Sequence, residues 1–222
     1  MPGRERPVVI AIDGPAASGK GTLARRIAAH FGYAHLDTGL LYRAVGLRLL
    51  RTGADPADEA AASAAAQALS EADLVDPELR RDEVANAAGV VAAIPAVREA
   101  LLDYQRRFAA APPGSPPGVV LDGRDIGTVI CPGADHKIFV EASLEVRAER
   151  RLKELQNRGS EGIPARVLQD MKERDARDRS RAVAPLAPAS DAFVLDTSAL
   201  DADAALAAAL DFISSRNKPE KT

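Results

Sequence analysis

The stretch that most restricts the fold of this chain is Val8–Thr22, which reads VVIAIDGPAASGKGT. It begins with a short apolar and β-branched run, Val8–Ile12, which predicts a buried strand. A turn of glycines and other small residues follows, and then come Lys20 and a helical stretch from about Gly21 to Ala29. A strand, a G-x-x-x-x-G-K turn and a helix in this order predict a loop that binds the phosphates of a nucleotide.

The chemistry of such a loop comes mainly from its backbone. Small residues let several N–H groups point into one concavity, and the start of the following helix adds partial positive charge there. Lys20 can reach over this nest to the terminal phosphates of the nucleotide. We therefore expect every residue of the loop to line the nucleotide site: Gly14, Pro15, Ala16, Ala17, Ser18, Gly19, Lys20, Gly21 and Thr22.

One position departs from the general pattern G-x-x-x-x-G-K-[ST]. The residue after the lysine is Gly21, and the hydroxyl appears only at Thr22. Because Gly21 has no hydroxyl to offer to Mg²⁺, we expect the metal to keep more water ligands or to take ligands from elsewhere. The order Gly-Lys-Gly-Thr resembles the loop of nucleoside-monophosphate kinases.

The composition narrows the class of protein. At 222 residues the chain has the size of one domain with room for an inserted piece, and its net charge of −3 argues against general nucleic-acid binding. Cys131 is the only cysteine, which suits a reducing compartment. The first residues lack the apolar core of a signal peptide, and no run is long enough to span a bilayer. We expect a cytoplasmic monomer without membrane or nucleic-acid partners.

Strands and helices alternate along the chain. Further strands are predicted at Tyr33–Leu36, Val119–Asp122, His136–Glu141 and Ala192–Leu195. Helices are predicted at about 38–50, 57–69, 84–93, 95–109, 144–157, 164–181 and 201–213, the last with an apolar stripe of Leu206, Leu210 and Ile213. This alternation predicts an α/β fold, with a parallel sheet covered by helices on both faces.

The segment between residues 51 and 116 interrupts that alternation. It is rich in alanine, contains an acidic stretch that Pro77 breaks, and ends in the Pro/Gly linker Ala111–Gly118. The predicted organisation is one domain with a core of residues 7–50, 117–149 and 163–215, an inserted piece at 51–116, a small flexible loop at 158–162 and a tail at 216–222.

A second polar stretch follows the third predicted strand. Asp122 ends this strand, at the usual place for a carboxylate beside bound Mg²⁺. Arg124 and Asp125 come next, at the sheet edge where open α/β folds bind ligands. The alternative is an ordinary polar junction between a strand and a turn.

Two helices carry further candidate residues. Asp37 or Thr38 caps the helix on which Arg43 sits near the start, beside the phosphate loop if the first two strands are neighbours. The basic helix at 164–181 carries one face of charged residues at i, i+4 and i+7: Arg174, Asp178 and Arg181. Solvated surface charges are the alternative interpretation for both helices.

Four groups of residues together resemble bacterial cytidylate kinases. They are the loop Gly14–Thr22, the stretch Leu36-Asp37-Thr38-Gly39-x-x-Tyr42-Arg43, the stretch Asp122–Thr128, and the stretch Arg174–Leu186. The resemblance runs from about Val8 to Ile213. It implies the fold of phosphate-loop kinases, with a five-stranded parallel sheet, a helical nucleoside-monophosphate-binding insert at 51–116 and a short lid at 150–162.

The resemblance also implies a reaction and its cofactors. ATP and CMP or dCMP would give ADP and CDP or dCDP, with Mg²⁺ held by phosphates and water and with Asp122 or Asp37 as candidate protein ligands. The loop, together with Arg150 and Arg158 from the lid, would contact ATP. Lys20 and three arginines would act in catalysis: Arg124, Arg174 and Arg181.

The remaining implied roles concern the acceptor. Arg43 and Arg124 would hold the phosphate of CMP, with Asp37, Thr38 and Asp122 also in the substrate site. Arg98 and Asp125 would read the cytosine, and Arg174 and Asp178 would hold the ribose. Arg181 would reach the transferring phosphoryl group. Gly89 stands where relatives often carry a base-contacting serine, which predicts a weaker preference for CMP over UMP.

The residues agree with this chemistry and leave three alternatives to weigh. Phosphoryl transfer depends on positioning and charge neutralisation, which a phosphate nest, a lysine and many arginines supply. A kinase for another small acceptor, such as UMP, AMP or a shikimate-like compound, would keep the loop but change Arg98, Asp125 and Arg174. A regulatory GTP-binding switch should carry an Asn-Lys-x-Asp motif, which Asn217–Glu220 does not match, and a non-enzymatic nucleotide-binding module would not need so many arginines around one crevice.

Overall fold

A computed structural model describes residues 6–159, 161–181 and 183–216. Residues 217–222 of the predicted tail and Ser160 of the predicted lid lie outside the described residues. The chain divides into two compact units. The first, the core unit, comprises Met1–His35 and Pro112–Thr222, and the second, the helical unit, comprises Leu36–Ala111.

Five strands form one sheet. In chain order they are β1 Val8–Asp13, β2 Ala34–Asp37, β3 Gly118–Gly123, β4 His136–Glu141 and β5 Phe193–Asp196. The spatial order is β2-β3-β1-β4-β5, and β1 pairs in parallel with both β3 and β4, as does β4 with β5. The predicted five-stranded parallel sheet is confirmed. Because β3 lies between β1 and β2, the condition under which Arg43 was expected beside the phosphate loop is not met.

The predicted helices are confirmed to within a few residues at their ends. They are α1 Lys20–Phe31, α2 Thr38–Thr52, α3 Glu59–Gln67, α4 Asp82–Val91, α5 Pro95–Ala110, α6 Leu144–Asn157, α7 Pro164–Ser180 and α8 Ala202–Arg216. Short 3₁₀ helices at Glu71–Val75 and Pro77–Arg80 occupy the acidic stretch, and a π-helical turn, Ile126–Ile130, follows β3. Pro95 and Pro164 both start helices, where a missing N–H costs nothing.

The main apolar core lies in the core unit. Residues of β1, β3 and β4 pack there against α1 and α8. On α8 the buried residues are Ala205, Ala209 and Ile213, whereas the predicted stripe placed Leu206 and Leu210 beside Ile213. Within the predicted stripe, Ile213 is buried and Leu206 is half-buried against this core, while Ala205 and Ala209 supply the rest of the buried face. The small alanine side chains allow α8 to approach the core closely, and the leucines lie at its edge.

The helical unit has its own apolar core, which explains where it begins. α2 buries Leu41, Val45 and Leu49 together with residues of α3, α4 and α5. At Gly46 a Cβ atom would lie 3.0 Å from the Cβ of Ala87, so α2 and α4 cross at close range. The unit thus starts at Leu36 and includes α2, although the sequence placed residues up to 50 with the core.

Among the described residues, no single helix is long and apolar enough to span a membrane. Only α4 and α5 reach that length and composition, as a pair that is bent by 101° at their junction. Each contributes to the apolar core of the helical unit, through Val91 of α4 and Val97 of α5.

Candidate active site

The loop between β1 and α1 has the conformation that its glycines allow. At Gly14 a Cβ atom would lie 2.1 Å from the carbonyl oxygen of Val140, so no other residue fits this close approach to β4. Gly19, directly before α1, has a φ of 91°, in the region that favours glycine. The Nζ of Lys20 lies 3.3 Å from the carbonyl oxygen of Pro15, and this bond folds the lysine back over its own loop.

Other parts of the core unit hold the carbonyl groups of this loop. Thr197 Oγ1 donates to the carbonyl of Ser18 at 2.9 Å, and Arg150 Nη1 donates to the same oxygen at 3.3 Å. Arg147 Nη1 donates to the carbonyl of Ala16 at 3.3 Å. These bonds fix the curvature that a phosphate nest requires.

A buried ion pair connects this support to α7. Arg147 of α6 binds Asp175 of α7 with two hydrogen bonds, of 3.1 and 2.6 Å, and their side chains are 3% and 9% exposed. Arg147 also donates from Nε to the carbonyl of Ala142 at 2.9 Å. One guanidinium thus joins α7, the loop and the end of β4, and each of its nitrogens has an acceptor.

The carboxylate at the end of β3 lies close to the phosphate loop. Asp122 is buried, and its Oδ2 lies 2.7 Å from Nε2 of His35. Its other oxygen lies 3.7 Å from where a Cβ of Gly21 would be, so it faces the start of α1. Among the described residues, no group of three or more His, Cys, Asp or Glu side chains would hold a metal ion alone. One carboxylate beside a phosphate nest fits Mg²⁺, which takes most of its ligands from phosphates and water.

Asp178 is the centre of the predicted charged face on α7. Its Oδ2 accepts from Nε of Arg124 at 2.9 Å, and its Oδ1 accepts from Nη2 of Arg181. Burial opposes ionisation of this carboxyl, but the charges of Arg124, Arg181 and Arg174 outweigh burial and hold its pKa below the usual range. The structure therefore brings three of the predicted arginines around the ionised carboxylate of Asp178, which holds the forks of Arg124 and Arg181 by hydrogen bonds.

The predicted residues of the helical unit lie on α2 and α5. The carboxylate of Asp37 caps α2 by accepting from the N–H of Gly39 at 3.0 Å, and Thr38 is the first, buried residue of that helix. Nη1 of Arg43 donates to the carbonyl of Leu79 at 2.7 Å. Asp37 thus has a local structural task besides any contact with substrate.

Arg98 is buried in the first turn of α5, with 9% of its surface exposed. Its guanidinium carbon lies 5.9 Å from the ring centroid of Tyr42, and Nη1 lies 3.4 Å from the carbonyl of Ala92. An arginine is rarely buried this deeply unless its guanidinium has partners, and here the ring of Tyr42 and the carbonyl of Ala92 supply them.

The two arginines predicted to contact ATP from the lid have different surroundings. Arg150 is bound within the protein: besides Ser18, its Nη1 and Nη2 reach the hydroxyl and carbonyl of Thr197 at 3.0 and 2.7 Å. Arg158 is exposed at the end of α6. Up to Asn157 the predicted lid is continuous helix, and Leu155 packs on Val167 and Met171 of α7.

The phosphate loop lies between β1 and α1 on a parallel sheet, and Arg124 directly follows β3. This combination defines a nucleotide-binding protein of the phosphate-loop class. Comparison with known proteins identifies the family. The family model described as cytidylate kinase matches residues 10–215, and the chain belongs to that family.

Named relatives agree with this assignment. The chain is 66% identical over 208 residues to a cytidylate kinase of Paramagnetospirillum magneticum, covering 94% of this chain and 98% of the relative. It is 60% identical over 215 residues to one of Rhodospirillum rubrum, covering 97% and 100%. An uncharacterized protein from Eubacterium ventriosum has a similar structure, with a TM-score of 0.54 and 14% identity over 94% of this chain and 99% of the other, which bears on the fold alone.

Sequence reasoning missed several residues that support the site. Thr197 follows β5 at the carboxyl edge of the sheet, so the rule that flagged Arg124 and Asp125 also applies to it. In the sequence, Arg147 is one of several basic residues of the helix predicted at 144–157, and nothing nearby marks it as a support of the phosphate loop. His35 and Asp13 gave no signal of their own, since their partners lie 87 or more residues away in the chain.

Proposed function

We propose that this chain is an ATP-dependent (d)CMP kinase, which transfers the γ-phosphoryl group of ATP to CMP or dCMP and releases ADP and CDP or dCDP. The observation that carries this proposal is the match to the cytidylate kinase family over residues 10–215. A lone cysteine suits the cytoplasm, where we propose that it acts as a monomer on these small nucleotides.

In the proposed reaction the loop Gly14–Thr22 holds the phosphates of ATP through its backbone N–H groups. Lys20 adds a charge that neutralises the transferring group as it moves. Asp122, or Asp37 as the alternative, would hold Mg²⁺ together with the phosphates and water, and the metal would neutralise charge on the phosphates. The bond between Asp122 and His35 supports this by fixing the orientation of the carboxylate.

The arginines of the core unit act on the groups that react. Arg124 binds the phosphate of the acceptor, Arg181 binds the transferring phosphoryl group, and Arg174 with Asp178 holds the ribose. Planar guanidinium groups suit this work because each can bind phosphate at two points. Asp178 supports the proposal because it already orients Arg124 and Arg181.

The helical unit supplies further contacts with the acceptor. Arg43 binds the phosphate of CMP, with Asp37 and Thr38 close by in sequence. Arg98 donates to the N3 and O2 acceptors of cytosine. The buried position of Arg98 supports this role, since a buried guanidinium discriminates strongly between a hydrogen-bond acceptor and a donor.

The segment 150–162 acts as a lid that keeps water away from the γ-phosphoryl group. Arg150 supports the phosphate loop and Arg158 contacts ATP. A bisubstrate analogue should slow amide hydrogen exchange in this segment. Unchanged exchange in 150–162, together with slowed exchange in the loop Gly14–Thr22, would contradict the lid.

A coupled assay of ADP release tests the function directly. CMP and dCMP should be the best acceptors, ahead of UMP, AMP and shikimate. The proposal fails if another acceptor gives a higher kcat/KM than CMP, or if ATP binds with no turnover of any acceptor.

A variant of Asp125 tests how cytosine is recognised. The carboxylate of Asp125 accepts from the N4 amino group of cytosine, whereas uracil presents an oxygen there. A mismatched buried contact costs about 1–3 kcal/mol, so CMP should exceed UMP by roughly 10²-fold in kcat/KM. Asp125→Asn should narrow this ratio, because an amide also donates to O4. An unchanged ratio would remove Asp125 from base recognition.

A further inference from the structure

Asp13 is a buried carboxylate at the junction of the two functional stretches of the core unit. It is the last residue of β1 and directly precedes Gly14, where the phosphate loop begins. Its Oδ1 accepts from the N–H of Ile126 and its Oδ2 from the N–H of Gly127, both at 2.8 Å. These two residues directly follow Asp125.

The two N–H groups belong to the first turn of a π-helical segment, where no carbonyl of the same helix can pair with them. Within Ile126–Ile130 the internal bonds begin later, with the N–H groups of Val129 and Ile130 bonding to the carbonyl of Asp125 at 2.9 and 3.1 Å. Ile126 and Gly127 are buried, so an unpaired N–H there would be costly. A side chain from β1 therefore caps this turn.

The two carboxyl oxygens of Asp13 find their hydrogen-bond partners in those backbone groups. Lys137 lies close, since a Cβ on Gly127 would be 3.2 Å from its Cδ and 3.4 Å from Oδ2 of Asp13, but the Lys137 ammonium pairs with Asp191 at 2.9 Å. Two short bonds, one to each oxygen, hold the carboxylate in a single orientation. The side chain thus connects the start of the phosphate loop to the turn that carries Arg124 and Asp125.

We propose that Asp13 is a positioning residue, which sets the Arg124–Asp125 turn relative to the phosphate loop and so aligns the acceptor with ATP. The inference rests on the proposed kinase function. Phosphoryl transfer depends on in-line placement of its two substrates, and a displacement of about 1 Å can cost 10²-fold in rate.

Asp13→Asn is the direct test. The amide keeps the shape but has one oxygen, so one buried N–H would face another donor and the turn would shift. We expect kcat to fall about 10²-fold and the KM for CMP to rise about tenfold. The KM for ATP should stay within twofold, because Arg147, Arg150 and Thr197 also hold the loop.

Asp135→Asn is the matched control. Asp135 also accepts from a backbone N–H of β1, that of Val9 at 2.9 Å, but near the opposite end of the strand. This variant should keep both KM values and kcat within twofold. The proposal is overturned if Asp13→Asn lowers thermal stability while kcat and the KM for CMP stay at their wild-type values.

A second variant decides the question if Asp13→Asn does not fold. Asp13→Glu keeps the charge and both acceptor oxygens but adds a methylene in a buried position, so it should displace the Ile126–Gly127 turn and raise the KM for CMP several-fold. An unchanged KM for CMP would overturn the proposal. If the wild-type enzyme turns over CMP and both variants have wild-type kcat and KM values, the inference alone is refuted. If the wild-type enzyme has no CMP kinase activity, the proposed function is refuted as well.

Discussion

The two units of this protein use charged residues in opposite ways. In the core unit the principal pairs are buried, as in Arg147–Asp175, and they connect elements that carry the phosphate loop and the arginines of α7. In the helical unit the pairs lie at the surface, where Arg51 binds both Asp76 and Glu78 and its side chain is 52% exposed. The interior of the helical unit is held instead by apolar and small residues, as at Gly46 and Ala87.

This difference shows in which of the two units ion pairs determine the positions of side chains. A buried pair that loses one partner leaves an uncompensated charge in a medium of low dielectric constant, whereas a surface pair is replaced by water. The core unit therefore holds its proposed catalytic groups by bonds that are costly to break. The helical unit tolerates changes in its surface charges, and its packing decides its shape.

The largest expected effect comes from Lys20 in the core unit. Lys20→Ala should lower kcat by about 10³-fold with the fold intact, because the charge acts on the transition state. Steady-state kinetics and circular dichroism measure this. Lys172→Ala removes an exposed lysine of α7 that lies outside the proposed lid, and it should leave kcat unchanged. Normal turnover by Lys20→Ala would reject the loop as the catalytic centre.

Breaking the buried pair should destabilise the protein more than any change in surface charge. Arg147→Met leaves the carboxylate of Asp175 buried and alone, which should cost about 3–5 kcal/mol in the free energy of unfolding. The double variant Arg147→Met with Asp175→Leu should recover part of this loss, since no charge is then left unpaired. Urea unfolding measures both. Equal stability of the single and double variants would show that the pair contributes through packing alone.

The pH dependence of stability distinguishes Asp13 from exposed carboxylates. Burial raises the pKa of Asp13 from its ordinary value of 3.8 to about 7, with a smaller contribution from Asp125 and against the two N–H bonds and Arg124. The folded protein therefore binds the proton of the Asp13 carboxyl more tightly than the unfolded chain does. The stability that this protonated carboxyl contributes is lost as the pH rises from about 4 to about 7. Asp13→Asn lacks this loss.

The difference in Tm between Asp13→Asn and wild type should therefore rise over that pH range and level off above it. Scanning calorimetry at pH 5, 6, 7 and 8 measures the difference. Asp191→Asn is the control, because the hydrogen bond from Lys137 lowers the pKa of Asp191 and its titration lies below this range. A flat difference for Asp13→Asn would mean that the carboxyl titrates at its ordinary pKa.

The smallest effect is expected in the helical unit. Arg51→Ala removes two surface ion pairs and should lower Tm by no more than about 2 °C, an effect that 0.5 M salt should largely remove. Differential scanning fluorimetry at low and high salt measures both. A larger, salt-resistant loss would show that the charges of this unit hold its shape after all.

Local signals along the chain determined most of the architecture. Apolar runs predicted the five strands, and all of them except β2 contain β-branched residues. Helix starts coincide with prolines or capping residues, as at Pro95, Pro164 and Ser143, whose Oγ accepts from the N–H of Val146. The phosphate loop was recognisable because its glycines and lysine lie within a few residues of each other. Each of these features depends on residues that are close together in the sequence, so the sequence alone is enough to predict it.

Tertiary structure alone decided how the site is held together. Asp13 meets its partners across 113 and 114 residues, Arg147 meets Asp175 across 28, and α2 joins the helical unit through packing with later helices. The chain has 32 acidic residues, and the sequence does not show which of them becomes buried or which N–H or arginine it meets. Those pairings depend on the relative placement of whole elements, which no local periodicity encodes. The sequence by itself therefore determined the fold class and the phosphate loop, while long-range burial selected the charged groups that position them.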